Sequence, residues 1–485
     1  MALFNLKRKS SKKMINRAGG EAYKASAKLQ LVSMLLTSFA QDQYYRSANQ
    51  TFDELMKLVS KVDPLFAAKA GIYARTKFGM RSITHVLAAE LAAYASGQEW
   101  SKSFYEKIIY RPDDMLEIVA YYHAKGGKTL PNAMKKGFAK AFDRFDSYQL
   151  AKYKGERRAV KLVDLVNLVH PVPTKKNDKA LKELISGNLK NTQTWEAKLT
   201  KAGQSANSDA EKEQMKAKAW AELIKEGKLG YFALLRNLRN INSQAPELMK
   251  EVTKMLRDPA RIRKSMVLPF RYLTAMDALQ ADDTRVNRKL LKALNEAMEI
   301  ALSNVPKFEG NTLVVLDDSG SMTWSKNGNG RSPIQIGAIF AAVLYKTNNA
   351  DLMRFSDDAS YVRPYFGDAA SSIADRLIKR AKSGGTNFHA IFENAKHAYD
   401  RIIILSDMQG WIGHYAPTKA YAKYKQRFGV NPYVYSFDLQ GYGSLQFPEH
   451  NVFCLAGFSE KVFDIMKVLE SDRNALINAI ERVEI

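Results

Sequence analysis

From about residue 19 to residue 308, apolar side chains recur at three- and four-residue spacings, the repeat that lays one stripe along a helix. AYKASAKLQLVSMLLTSFA, TFDELMKLVSKV, DPLFAAKAGIYARTKFG, ITHVLAAELAAYA and DDMLEIVAYYHAKGG all read this way. The punctuation agrees: Asp63-Pro64 opens one helix, Gly126-Gly127 closes another, and Leu130-Pro131-Asn132 opens the next. Many helices of roughly 12 to 20 residues joined by short turns predict an all-α solenoid of stacked helix pairs. The most polar stretch, residues 186–216, reads as an exposed excursion on one rim. After the turn-rich SNVPKFEGN the pattern changes. LVVLD and RIIILS are short, continuous apolar runs, as expected of strands buried on both faces of a parallel sheet.

Charge divides the chain at the same place. The 485 residues suffice for two or three domains and carry 74 Lys and Arg against 50 Asp and Glu, a net charge of +24. Residues 311–485 hold 19 basic and 18 acidic side chains, so the first 310 hold nearly the whole excess, 55 against 32. Such asymmetry predicts a polyanion partner for the first half, nucleic acid or an anionic membrane surface. A single cysteine, Cys454 in NVFCLAGF, excludes a disulfide within the chain and fits a core thiol in a reducing compartment. No apolar run reaches the roughly 18 residues that span a bilayer. Residues 1–18 are basic without an apolar core and read as a tail, not a secretory signal. The expectation is a cytoplasmic protein with no membrane partner.

The strand LVVLD ends in DDSGSMTW, where Asp317, Ser319 and Ser321 alternate and can turn three oxygen-bearing side chains toward one point. Such oxygens are hard ligands, suited to Mg²⁺ and not to zinc. Alone, DDSGS reads better as a polar turn with an N-cap serine for the next helix. Two further clusters change the balance: Thr386 in SGGTNFH, and Ser406 and Asp407 at the end of RIIILSDMQGW. Parallel sheets bind ligands beyond the carboxyl ends of their strands, where these loops would meet.

Asp317, Ser319 and Ser321, then Thr386, then Asp407, resemble the metal-ion-dependent adhesion site of von Willebrand factor A domains, in pattern D-x-S-x-S, then T, then D. The resemblance implies an α/β doubly wound domain over residues 309–485. It implies a divalent cation, Mg²⁺ with Ca²⁺ or Mn²⁺ as alternatives, bound directly by Ser319 and Ser321. Asp317, Thr386 and Asp407 would bind it directly or through water, leaving one position open for a partner's carboxylate or another acceptor.

AGIYARTKFGMRS, LPNAMKKGFAKAFDRFDSYQLAKYKGERRAVKLVDLVNLVHP, LGYFALLRNLRNI and RIRKSMVLPFRYLTAMDAL resemble, in order, the signatures of the TROVE module found in the Ro 60-kDa autoantigen family and its bacterial and phage-borne relatives. This resemblance implies that residues 19–308 form a HEAT-like helical-repeat ring closed by the A domain, acting as a monomer. It also implies binding of noncoding RNA: Y or Y-like RNA on the outer basic surface, and single-stranded 3′ ends of misfolded RNAs in a central hole. An exoribonuclease is an implied partner, and RNA quality control or ribonucleoprotein scaffolding the implied role.

The basic residues suit that setting, because a phosphate backbone is held by Lys and Arg in a salt-dependent, sequence-tolerant way. LAKYKGERRAVK places Lys152, Lys154, Arg157, Arg158 and Lys161 within one or two helical turns. His170, before Pro171, is either part of that surface or a helix C-cap. Arg236 and Arg239 in LLRNLRN fall opposite the leucine stripe and face the hole in the ring reading; Arg261, Arg263, Lys264 and Arg271 extend the group. Enzyme signatures are wanting: Ser319 stands where a haloacid-type phosphatase needs its second acid, and no HExxH or GxSxG occurs. The expectation is a noncatalytic RNA-binding protein. The alternatives are a metal-dependent protein-interaction adaptor and a metal-dependent nuclease using Asp317 and Asp407.

Overall fold

Asp63 accepts a hydrogen bond from the amide of Phe66 at 2.9 Å and starts the Pro64–Lys77 helix, whose first residue is the proline that a helix tolerates there. Local rules of this kind build the helical half. The computed structural model describes residues 13–15, 21–24, 26–37, 48–155, 158–190, 195–204, 208–227, 229–280, 288–324, 332–348, 350–412, 417–440, 444–446, 452–456, 466 and 475–485. Described α-helices of this half run from six residues (Ser147–Lys152) to 17 (Asp209–Lys225), several shorter than expected. Left-handed glycines such as Gly79 and Gly126, and 3₁₀ turns such as Leu91–Ala93, divide what periodicity alone joins. No helix among the described residues is long and apolar enough to cross a membrane.

A buried acid pair ties the first helices together. Asp114 is fully buried and accepts Arg75 Nη2 at 2.8 Å, the amides of Tyr110 and Arg111 at 2.9 and 2.8 Å, and has His85 Nε2 at 3.0 Å. Burial alone would push its carboxyl up, but His85 and Arg75 outweigh that and hold it below the usual range. Its neighbour Asp113 accepts Arg81 at 3.1 Å, Arg111 at 2.7 Å and Arg158 at 3.3 Å.

The described part of residues 186–216 is largely exposed, as expected, but helical. It contributes the Trp195–Gln204 helix and the start of the Asp209–Lys225 helix, which pack on each other with Lys198 paired to Glu222 at 2.6 Å. Ser208 caps the second by accepting the amide of Glu211 at 3.2 Å. The polarity expresses two solvated helix faces.

The second half is a doubly wound α/β domain. Numbering strands along the described residues, β1 (Lys13–Ile15) and β2 (Glu21–Lys24) precede it; β3 (Thr312–Asp317), β4 (Asp351–Phe355), β5 (Ala359–Val362), β6 (Arg401–Ser406), β7 (Tyr433–Asp438), β8 (Ser444–Leu445) and β9 (Val452–Ala456) lie within it. The six-stranded sheet has the order β5-β4-β3-β6-β7-β9, parallel except for the edge strand β5. Every residue of β3 and β6 is buried. Their alternate side chains enter two cores. Val314, Leu316, Ile403 and Leu405 meet the Pro333–Asn348 and Ala370–Lys379 helices; Leu313, Val315, Ile402 and Ile404 meet the Phe388–Asn394 and Thr418–Phe428 helices. Cys454 lies on β9, with its side chain outside the described residues.

Both ends of the helical half hold this domain, so the chain closes on itself. At one junction Glu299 accepts the amide of Ala370 at 2.7 Å, satisfying the start of the Ala370–Lys379 helix, and pairs with Lys346. At the other, Lys28 pairs with Glu481 at 2.6 Å, Lys69 donates to the carbonyl of Glu481 at 2.6 Å, and Lys107 donates to the carbonyl of Glu484 at 2.9 Å. Moreover, β1 and β2 form a hairpin whose Tyr23 pairs with Leu445 on β8, so part of the segment read as a tail is strand.

Candidate metal centre and nucleic-acid surfaces

β3 and β6 are adjacent and parallel, so their carboxyl ends present Asp317 and Asp407 side by side. Backbone bonds then join the three loops that the motif combines. The amide of Ser383 donates to the carbonyl of Asp318 and that of Gly320 to the carbonyl of Gly384, each at 2.9 Å. The carbonyl of Thr386 accepts the amides of Trp411 and Ile412 at 3.1 and 3.2 Å. Glycine is required at the second loop: a Cβ on Gly384 would lie 1.9 Å from Asp357 Oδ2, and Asp357 Oδ1 accepts the amide of Gly385 at 2.9 Å. Ser383 and Met408 hold the left-handed region at φ 53° and 60°, backbone strain of the sort that gathers at functional loops.

All five motif residues are buried: Asp317, Ser319, Ser321, Thr386 and Asp407. Asp317 Oδ1 accepts the amide of Ser319 at 2.9 Å and its Oδ2 accepts the hydroxyl of Ser406 at 2.5 Å. The Ser319 and Ser321 hydroxyl oxygens are 3.5 Å apart. Asp407 Oδ1 accepts the amide of Gln409 at 3.2 Å, whereas its Oδ2 is buried and has no hydrogen-bond partner. Burial pushes the Asp317 carboxyl up against the pull of hydrogen bonds from Ser319 and Ser406. Burial and then the charge of Asp317 push Asp407 up. Two buried carboxylates, hydroxyl oxygens beside them and an orphaned carboxylate oxygen match the needs of a hard divalent cation. These five residues are the set that could hold one. Gln409 and Asp357, which shape the site through backbone bonds, carry no sequence signal. Trp411, 51% exposed, stands at its margin.

The first basic cluster is largely engaged elsewhere. The Ser147–Lys152 helix ends at Lys152, whose ammonium lies over Tyr148 and Tyr153, so the cluster does not share one helix. Lys154 donates to the carbonyl of Leu189 at 2.8 Å, and Arg158 pairs with Asp113 and Glu117. Arg157 lies outside the described residues. Lys161 is exposed and precedes the Leu162–Val169 helix; His170 is its left-handed C-cap at φ 48° and is also exposed. His170 nevertheless lines a basic cleft of about 770 Å³ together with Lys102, Lys135, Lys136 and Lys140. Those four lysines escaped sequence reasoning because two helices bring them together.

The second group is coherent. On the Tyr231–Gln244 helix, Leu234, Leu235 and Leu238 are buried, while Phe232, Arg236 and Arg239 form an exposed stripe at positions i, i+4 and i+7. Arg271 places its guanidinium over the Phe232 ring, 5.7 Å from the centroid. Arg263 and Lys264 are exposed, as is Arg261, which pairs with Asp258 at 3.5 Å. Phe232, 43% exposed, joins this set from the structure.

Residues 23–219 and 188–314 match the TROVE domain, and residues 311–469 match the Ro60 vWA domain. The telomerase protein component 1 of mouse and of rat are each 22% identical over 355 residues; this chain spans only 13% of their length, and the match covers 54% of the chain. The RNA-binding protein RO60 of Deinococcus radiodurans is 24% identical over 484 residues, covering 86% of this chain and 87% of that one. The crystal structure of the Deinococcus radiodurans RO (RSR) protein superposes over 95% of this chain and all of that one, with a TM-score of 0.62 at 18% identity, a likeness of fold. With the two domains matched in sequence and in this order, the chain belongs to the Ro60 family.

Proposed function

We propose that this chain is a noncatalytic RNA-binding scaffold acting in RNA quality control. The observation that carries the reading is the exposed Phe232, Arg236 and Arg239 stripe with Arg271 over the phenyl ring. Guanidiniums beside an exposed aromatic face combine phosphate attraction with base stacking, the two forces that hold single strands. In this reading the single-stranded 3′ ends of misfolded RNAs pass through the centre of the closed chain along that stripe. A Y-like noncoding RNA lies on the cleft of Lys102, Lys135, Lys136, Lys140 and His170. An exoribonuclease joined through that RNA is the natural downstream partner, and the scaffold works as a cytoplasmic monomer.

The A domain carries the second part of the proposal. Ser319, Ser321 and Asp407 would hold Mg²⁺, with Thr386 and Asp317 reaching it directly or through water; Ca²⁺ or Mn²⁺ would fit the same oxygen set. The cation would supply an open position for an acidic group of a partner. Burial and the unpartnered Asp407 Oδ2 support this.

The test is RNA binding by the full chain to duplexes with and without a 3′ tail. Tighter binding of the tailed RNA, lost in Arg236→Ala/Arg239→Ala, supports the proposal. Equal binding of both by the unaltered protein contradicts it.

A further inference from the structure

The A domain is nearly neutral overall, yet one of its pockets concentrates four arginines. Between the edge strand β5 and the Ala370–Lys379 helix lies a cavity of about 290 Å³, lined by Arg354, Arg363, Arg376 and Arg380 and by no acidic side chain. Two of the four are internally engaged. Arg354 donates to the carbonyl of Arg380 and lies 3.7 Å from Asp318; Arg376 pairs with Asp368. Arg363 and Arg380 are exposed, and neither guanidinium has a partner among the described residues. Like charges repel, so their convergence on one small cavity without a carboxylate in its wall calls for an anionic ligand.

The wall also provides an aromatic face. Tyr365 is 76% exposed, and its ring lies over Gly367, where a Cβ would come within 2.6 Å of it. The turn is closed by the amide of Asp368 donating to the Tyr365 carbonyl at 3.0 Å.

We infer that this pocket binds the terminal phosphate of a single-stranded RNA, with the end base against Tyr365. A terminal phosphate carries up to two charges and three acceptor oxygens on one atom, which several guanidinium forks can share; an internal phosphodiester offers one charge. The cavity is of single-nucleotide scale, and the edge of the sheet leaves it open for the strand to leave. The inference rests on the RNA-binding reading above, but it places this contact on the other domain, about which the basic charge of the helical half says nothing.

The test uses the full chain and short oligouridines: a 5′-phosphorylated form, a 3′-phosphorylated form and a form with hydroxyls at both ends, followed by fluorescence anisotropy. One phosphorylated form binds about tenfold tighter than the hydroxyl form, as expected of arginine–phosphate forks. That preference disappears in Arg363→Glu/Arg380→Glu and in the milder double alanine variant. It persists in Arg236→Ala/Arg239→Ala, which weakens all three forms alike. Inorganic pyrophosphate abolishes the preference, and a glutamate hexapeptide does not. Equal affinity for all three forms overturns this inference and leaves the RNA-binding reading intact. Failure of every form to bind the unaltered protein overturns the RNA-binding reading itself. Displacement by the glutamate peptide alone overturns the choice of ligand in favour of an acidic protein.

Discussion

The hydroxyl of Ser406 donates to Asp317 Oδ2 at 2.5 Å, joining the ends of two strands that lie 89 residues apart in the chain. The Ser406 hydroxyl oxygen also accepts the amide of Met408 at 2.9 Å, so one hydroxyl both orients a candidate metal carboxylate and satisfies the left-handed residue that follows Asp407. Ser406→Ala would leave a buried carboxylate oxygen and a buried amide without partners, a loss of roughly 1–3 kcal/mol. Denaturant unfolding should show it as a lower midpoint with an unchanged slope. A midpoint equal to that of the unaltered protein would mean the bond carries no weight.

The two acids of the site make stability depend on pH in a definite direction. Burial raises both, and the charge of Asp317 further raises Asp407. A carboxyl raised in the folded state gives its full stability below its unfolded value, and that stability is lost as pH rises through the raised folded value. Without a divalent cation, thermal stability should therefore fall as pH rises from about 4, the ordinary carboxylate value, to about 8, the raised value of Asp407. Mg²⁺ should stabilise more at the upper end, where both acids ionise, and Asp407→Asn should flatten both responses. The same Mg²⁺ gain at both pH values, in both proteins, would remove the metal site.

On the helical half, Lys135→Glu/Lys136→Glu should weaken structured RNA while leaving the thermal midpoint nearly unchanged. Arg158→Glu should lower stability, because it sets a third acid against Asp113 and Glu117. Paired binding and melting curves separate the two effects. If Arg158→Glu left the midpoint unchanged while abolishing binding, its charge would belong to the RNA surface.

That contrast shows what could be seen in the sequence. The convergence of Asp317, Ser319, Ser321, Thr386 and Asp407 was legible because each sits at the end of a recognisable strand or the start of a helix. The stripe of Arg236 and Arg239 was legible because the leucines between them mark the buried face. Charge counting could not show that Arg158 meets acids 41 and 45 residues earlier, or that Lys154 reaches the carbonyl of Leu189. Nor could spacing gather Lys102 with Lys135, since helix packing alone puts them on one cleft. The described part of residues 186–216 is largely exposed, as read, but its two helices were not legible, because a solvated helical hairpin needs only a narrow apolar seam and its polar faces dominate composition.

The central claim is a division of labour, with the salt-dependent bulk of RNA affinity supplied by the helical half and a divalent cation held by the A domain. It is tested most directly by measuring the affinity of a 3′-tailed structured RNA across a salt series, with and without Mg²⁺, for the unaltered protein and for Asp317→Ala. Affinity should fall steeply with salt, with a log–log slope of about −0.7 to −0.9 per neutralised phosphate. The two proteins should give the same slope and the same affinity, while Mg²⁺ raises the melting temperature of the unaltered protein alone. Loss of RNA binding in Asp317→Ala, or an identical Mg²⁺ response in both proteins, would contradict the account.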